Sequence, residues 1–180
     1  MSLKDKTIIL GIGGGIAAYK CCELARLMAK SGADVHCVLT SAGEKFVTPL
    51  TLQTLTQNPV HTGMFDLIQE KEIGHISLSE KADLVLVAPA TADLIAKVSH
   101  GICDELLTTV ICATKAPIVF APSMNSNMWE NSITQENVER LRKHGYNFVE
   151  PTVGELACGY EGKGRLPEPH AIVEHIASLL

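Results

Sequence analysis

An α/β fold, with a parallel sheet covered by helices on both faces, is what this sequence predicts. Two observations carry the prediction. Short apolar runs of strand length alternate with stretches of helical period, which is the pattern of successive β–α–β units. Those runs are apolar at almost every position and not at every second one, as strands buried on both faces must be. The 180 residues suit one domain large enough to build its core without staples.

In chain order, Thr7 to Leu10 is the first strand, and it ends in the turn Gly11-Ile12-Gly13-Gly14-Gly15. A helix from about Ile16 to Lys30 carries Leu24, Leu27 and Met28 on one face and stops at Gly32. Val35 to Leu39 is the second strand. Thr48-Pro49 reads as an N-cap with proline at the first helical position, opening a helix to about Thr56. Asp83 to Val87 is the clearest buried strand. Helices follow over 91–100 and 104–114, then the apolar strand Ala116 to Ala121, a helix over 132–143 closed by Gly145, and a short strand over 146–149. A last helix spans 170–180. Between these last two elements, 150–167 is glycine-rich and too long for an ordinary connection, so it is expected to be a mobile functional flap within a single domain over 1–180.

Composition excludes several classes. The hydrophobic fraction is 46% and the charged fraction 19%, which describes a globular chain and not a disordered one. Net charge is −5, and the basic residues form no run or stripe, so nucleic acid is not an expected partner. No apolar segment is long enough to span a bilayer, and the N-terminus lacks a signal-peptide core, which predicts a cytoplasmic protein. Six cysteines fit that compartment as free thiols, and none belongs to a C-x-x-C pair or to a cluster with zinc spacing. No metal is expected.

Four places carry chemistry. After the first strand, G-x-G-x-x-G fails because Ile16 stands where the third glycine belongs, and no acidic residue closes the second strand. Main-chain amides at Gly14, Gly15 and Ile16, with hydroxyls at Thr40 and Ser41, suit a mononucleotide phosphate such as that of FMN better than NAD. Close strand–helix packing would select the same glycines. Pro89-Ala90-Thr91-Ala92-Asp93-Leu94 follows the third strand, where open α/β sheets bind ligands; a plain helix cap explains Thr91 or Asp93 equally well. Pro122 to Trp129, PSMNSNMW, delivers the amide of Asn125 between Met124 and Met128 and beside the chain's only tryptophan. Packing of Met124, Met128 and Trp129 into the core is the simpler alternative. The fourth place, Gly154 to Arg165, sets Cys158 in a polar segment with four glycines, where structure alone has little need of a thiol. Lys163 and Arg165 there could meet an anionic substrate. His75, taken alone, is more often a structural histidine than a base.

Together and in this order, the parts resemble the homo-oligomeric flavin-containing cysteine decarboxylases, over Ile9 to about Arg165. PSMNSNMW fits that family's P-x-M-N-x-x-M-W motif at every fixed position, and ACGYEGKG fits its cysteine flap. PATADL is a looser match to P-A-S-A-N-T, with Asp93 for Asn and Leu94 for Thr, and Leu166 stands where many relatives have methionine. The resemblance implies a flavodoxin/Rossmann-like three-layer sandwich that binds FMN through Gly14, Gly15, Ile16, Thr40, Ser41, Thr91, Ala92, Asp93, Leu94 and Ser123. It implies decarboxylation of 4′-phosphopantothenoylcysteine to 4′-phosphopantetheine in coenzyme A biosynthesis, by thiol oxidation to a thioaldehyde, CO2 loss and re-reduction of the ene-thiolate. In that scheme His75 assists thiol oxidation, Asn125 holds the substrate carboxylate, and Cys158 protonates the ene-thiolate as the reduced flavin returns hydride. Met124, Asn125, Glu155, Ala157 and Leu166 would line the substrate. The family also implies a homotrimer, or trimers assembled into a dodecamer, with a neighbouring chain completing the site. Some relatives carry a fused synthetase; this sequence is expected to be the decarboxylase alone. A flavin prenyltransferase-like enzyme shares the fold but gives no reason for PSMNSNMW or Cys158. A non-catalytic FMN-binding regulatory subunit would not need His75, Asn125 and Cys158 together, and a flavodoxin-like electron carrier would not explain the thiol.

Overall fold

The structure is a computed structural model that describes residues 2–64, 74–155, 159 and 161–180. Its main sheet contains β1 (Thr7–Ile12), β2 (Asp34–Leu39), β3 (Leu84–Ala90), β4 (Ile118–Pro122) and β5 (Asn147–Phe148). The spatial order is β2-β1-β3-β4-β5, and every neighbouring pair is parallel. Connecting segments supply α1 (Ala18–Lys30), α2 (Pro49–Thr56), α3 (Gly74–Lys81), α4 (Ala92–Ser99), α5 (Leu106–Ala113), α6 (Ser126–Glu130), α7 (Ser132–Lys143) and α8 (Pro169–Ala177).

The period of two along each strand divides the core. Ile8, Leu10 and Ile12 of β1 pack with Leu24 and Met28 of α1, Leu52 of α2 and Ile172 and Ile176 of α8. Ile9 points to the other face, with Val85, Val87, Phe120, Leu94, Leu107, Val138 and Leu141. Helices therefore cover both faces, and the expected three-layer sandwich is what forms. Each such buried aliphatic side chain stabilises the fold by about 1.5–3 kcal/mol, an upper estimate. The Thr48-Pro49 signal is also borne out: the Thr48 hydroxyl accepts from the Thr51 N–H at 3.3 Å and Pro49 opens α2.

Three elements depart from the sequence reading. α3 is a helix of its own around His75. The segment after β4 is not loop throughout, since α6 begins at Ser126 with Asn125 as its N-cap. The stretch 150–167 holds an antiparallel hairpin, β6 (Thr152–Glu155) with β7 (Glu161–Arg165). Its glycines and charges leave no apolar alternation, which is why periodicity could not find it.

Strand order positions the site. The chain leaves β1 toward β2 on one side, then returns to lay β3 on the other side of β1. The connections thus diverge between β1 and β3, and a crevice opens beyond the carboxyl ends of these two strands.

Candidate functional site

A cavity of about 740 Å³ occupies that crevice. Its walls are Gly14 to Ala17 with Tyr19 and Lys20 from the end of β1 and the start of α1, Thr91 and Ala92 after β3, and Ser123 to Asn125 with Met128 after β4. The hairpin completes it with Glu155, Gly159, Gly164 and Arg165, followed by Leu166. Three parallel-strand ends and one hairpin thus converge on one space.

The turn after β1 is wedged between neighbours that forbid side chains. A Cβ on Gly13 would lie 2.5 Å from the Pro89 carbonyl oxygen, and one on Gly14 would run into Ala42. Main chain alone therefore borders the cavity there, which is the condition for amides to approach an anionic oxygen. Across the crevice, the Thr91 hydroxyl oxygen accepts from the Leu94 N–H at 3.2 Å and so caps α4. Its own O–H proton remains available to donate.

Asn125 sits at the mouth of α6. Its side-chain oxygen accepts from the Asn127 N–H at 2.9 Å and so caps α6, while its NH2 is the donor end, the kind of group that an anion takes. The cap is also a sufficient structural reason for an asparagine here. Met124, one residue earlier, donates its N–H to the Gly164 oxygen at 3.0 Å, which ties the strand-end turn to the hairpin.

Two cations line the cavity edge and share one partner. Lys20 Nζ donates to Glu168 Oε1 at 3.2 Å, and Arg165 Nη2 donates to the same oxygen at 2.9 Å. The Lys20 side chain is only 13% exposed, so it is a fixed part of the wall. Two cations against the one carboxylate they share leave that corner locally positive, and Glu155 puts a further carboxylate on the cavity lining.

The cavity includes Gly14, Gly15, Ile16, Thr91, Ala92, Ser123, Met124, Asn125, Glu155 and Leu166 of the residues expected from sequence. It does not include five others. The Thr40 hydroxyl is spent inside the fold, donating to the Ile12 oxygen at 3.1 Å and accepting from the Gly43 N–H at 3.0 Å, while Ser41 is exposed. Asp93 faces Lys97 at 3.4 Å, and Leu94 is a core residue. His75 lies at the start of α3, outside the cavity lining, with its Nδ1 buried and without a hydrogen-bond partner among the described residues. Ala157 and Cys158 lie outside the described residues. Sequence reading missed Tyr19 and Lys20; the available signal was that Lys20 stands one helical turn beyond Ile16.

The profile of the family described as Flavoprotein matches residues 1–180. The chain belongs to the Flavoprotein family. A curated relative, the Coenzyme A biosynthesis bifunctional protein CoaBC of Vibrio cholerae, is 51% identical over 174 residues, which is 97% of this chain and 44% of that protein. The chain thus spans less than half the length of that relative. Among solved structures, a PPC decarboxylase mutant complexed with pantothenoylaminoethenethiol superposes with a TM-score of 0.87 at 28% identity, covering 98% of both chains. The FMN-dependent cysteine decarboxylase SpaF gives a TM-score of 0.85 at 26% identity over 99% of this Flavoprotein and 100% of its own chain.

Proposed function

We propose that the chain is an FMN-dependent decarboxylase that converts 4′-phosphopantothenoylcysteine to 4′-phosphopantetheine for coenzyme A biosynthesis. The observation that carries the reading is convergence. A side-chain-free turn, a capping amide and the two strands that bracket residues 156–160 all meet at one cavity, in a fold shared with a PPC decarboxylase along its full length.

FMN fits the β1–β3 crevice: the amides of Gly14 and Ile16 suit its phosphate, the Gly15 N–H being given to the Gly13 oxygen at 3.1 Å, and Thr91, Ala92 and Ser123 border the adjoining space. When bound, FMN would accept a hydride as the substrate thiol becomes a thioaldehyde and give it back after CO2 loss, so that no net redox change results. The protein's residues do the rest. Asn125 donates its amide N–H to the substrate carboxylate and orients it so that the C–C bond breaks with its electrons flowing into the C=S group. His75, whose Nδ1 has no partner among the described residues and which lies outside its own chain's cavity lining, takes the thiol proton from the side of a neighbouring copy. Cys158 returns a proton to the carbon of the ene-thiolate. Lys20 and Arg165 receive the 4′-phosphate at the positive edge. No helix among the described residues is long and apolar enough to cross a membrane, and the free thiols suit a cytoplasmic enzyme.

The site is completed by a second copy, in a homotrimer or trimers assembled into a dodecamer. Ile16 and Tyr19 line the cavity yet are 58% and 60% exposed, which marks an apolar rim for another chain to cover. The deciding experiment is the product mass after anaerobic incubation of the FMN-loaded protein with 4′-phosphopantothenoylcysteine. Loss of CO2 alone is expected. Unchanged substrate, from protein that holds FMN, refutes the assignment.

A further inference from the structure

β7 is held to the rest of the molecule by a chain of alternating rings and charges. Lys163 Nζ lies 5.9 Å from the centroid of the Trp129 ring in α6 and donates to Glu150 Oε2 at 3.2 Å. The other oxygen of Glu150 accepts from Arg142 of α7. Arg142 in turn lies 5.2 Å over the Phe148 ring, and Phe148 stacks on the buried Phe120 at 5.3 Å. The sequence runs ring, cation, carboxylate, cation, ring, and it ends in the core of the sheet. Beside it the Met124 N–H bonds to the Gly164 oxygen at 3.0 Å, and Gly164 itself presses on the Met124 carbonyl oxygen where no Cβ fits.

These contacts join β7 to the turn that carries Asn125. Lys163 is not among the residues lining the cavity, so its ammonium serves the docking and not the ligand. Glu155 pairs with Glu161, and in the sequence Cys158 lies between them, so docking of β7 fixes the strand that follows Cys158 in the chain relative to Asn125. We propose that Lys163 is a positioning residue. It holds β7 on Trp129 and Glu150, and thereby seats the strand into which the chain runs after Cys158 beside the turn that carries Asn125. The inference rests on the functional reading above, in which Cys158 completes the second half of the reaction.

In that role Lys163 governs which product leaves. A loosened β7 leaves oxidation and CO2 loss to Asn125 and His75 but delays proton return, so ene-thiol escapes with two hydrogens missing, its two electrons remaining on the flavin. The test uses FMN-loaded Lys163→Met and Lys163→Arg, with two readouts. Trp129 is the only tryptophan, so acrylamide quenching of its emission reports on the docking directly and requires no turnover. Mass analysis gives the split between complete and oxidised product. Lys163→Met is expected to raise quenching and to raise the oxidised share about two- to fivefold, the size of one exposed cation–π contact with a screened ion pair. Lys163→Arg, which keeps a cation able to reach ring and carboxylate, should restore both. Unchanged quenching in Lys163→Met overturns the docking, and changed quenching with an unchanged split overturns the positioning role. If the unsubstituted protein releases no CO2, the functional reading fails separately, and quenching still decides the docking.

Discussion

Gly164→Ala tests how tightly the hairpin is seated. The backbone at 164 has φ +152, a conformation that side chains rarely adopt, and a Cβ there would penetrate the Met124 carbonyl oxygen. Forcing alanine into that conformation costs about 1–3 kcal/mol. Relief by retreat of β7 removes the Met124-to-Gly164 hydrogen bond, which contributes about 1 kcal/mol net. The two costs are alternatives in part, because undocking caps the strain; a loss of about 2–3 kcal/mol in hairpin docking is expected. Amide exchange at Met124 reads it, since about 1.4 kcal/mol is tenfold in an opening equilibrium, and exchange should quicken roughly thirty- to a hundred-and-fortyfold. The global melting temperature should fall less than about 10 °C, because the hairpin can yield locally. Gly145→Ala is the control: φ is +86 but nothing lies within 4 Å of a Cβ, so it costs only its own backbone strain and leaves Met124 alone. Met124 exchange within twofold of the unsubstituted rate in Gly164→Ala would refute the close seating.

Three further outcomes are expected. Asn125→Asp keeps the α6 cap but sets a negative charge against the substrate carboxylate, so turnover should fall about ten- to a hundredfold while the melting temperature holds; unchanged turnover would show that Asn125 is only a cap. Lys20→Gln removes one cation from the cavity edge and should raise KM for the phosphorylated substrate about tenfold while leaving pantothenoylcysteine unaffected; equal change for both substrates would remove the phosphate from this edge. Burial pushes the Cys37 thiol up to about 12 from an ordinary 9.0, and the Cys21 thiol is raised as well. Above pH 9 the unfolded chain therefore sheds protons that the folded chain keeps, and stability falls toward about 1.4 kcal/mol per pH unit for each thiol. The urea midpoint should decline between pH 9 and 11, and less steeply in Cys37→Ala; identical slopes would contradict the burial argument.

Much of this fold was legible because its strands are continuous apolar runs and its helix ends carry local signals. Asp83 to Val87 and Thr48-Pro49 are recognisable without any tertiary knowledge. The hairpin was not, because what holds β7 is Gly164 on Met124 and Lys163 on Trp129, contacts between residues about forty apart in sequence that leave no periodicity. The site followed the same division. Gly14, Gly15, Thr91 and Asn125 sit directly at strand ends, where the topology places ligands, so reading the strands led to them. Thr40 and Asp93 sit at equivalent places but turn to Gly43 and Lys97, a choice of rotamer that composition cannot reveal. Lys20 was hidden because an amphipathic helix face explains a lysine without further cause.

Glu168 gives the positive edge a property that neither cation would have alone. Its one carboxylate oxygen already accepts from both Lys20 and Arg165, so on the reading proposed above, in which this edge receives the phosphate, the protein carries its own stand-in for the ligand. An incoming anion must displace that stand-in, and affinity is the difference between two attractions and not the sum of new contacts. A monoanion exchanges like for like and gains almost nothing, whereas a phosphate dianion brings a second charge that the carboxylate lacks. The edge therefore sets a threshold of charge for entry, and selectivity should appear near the second ionisation of a phosphate ester, at about pH 6.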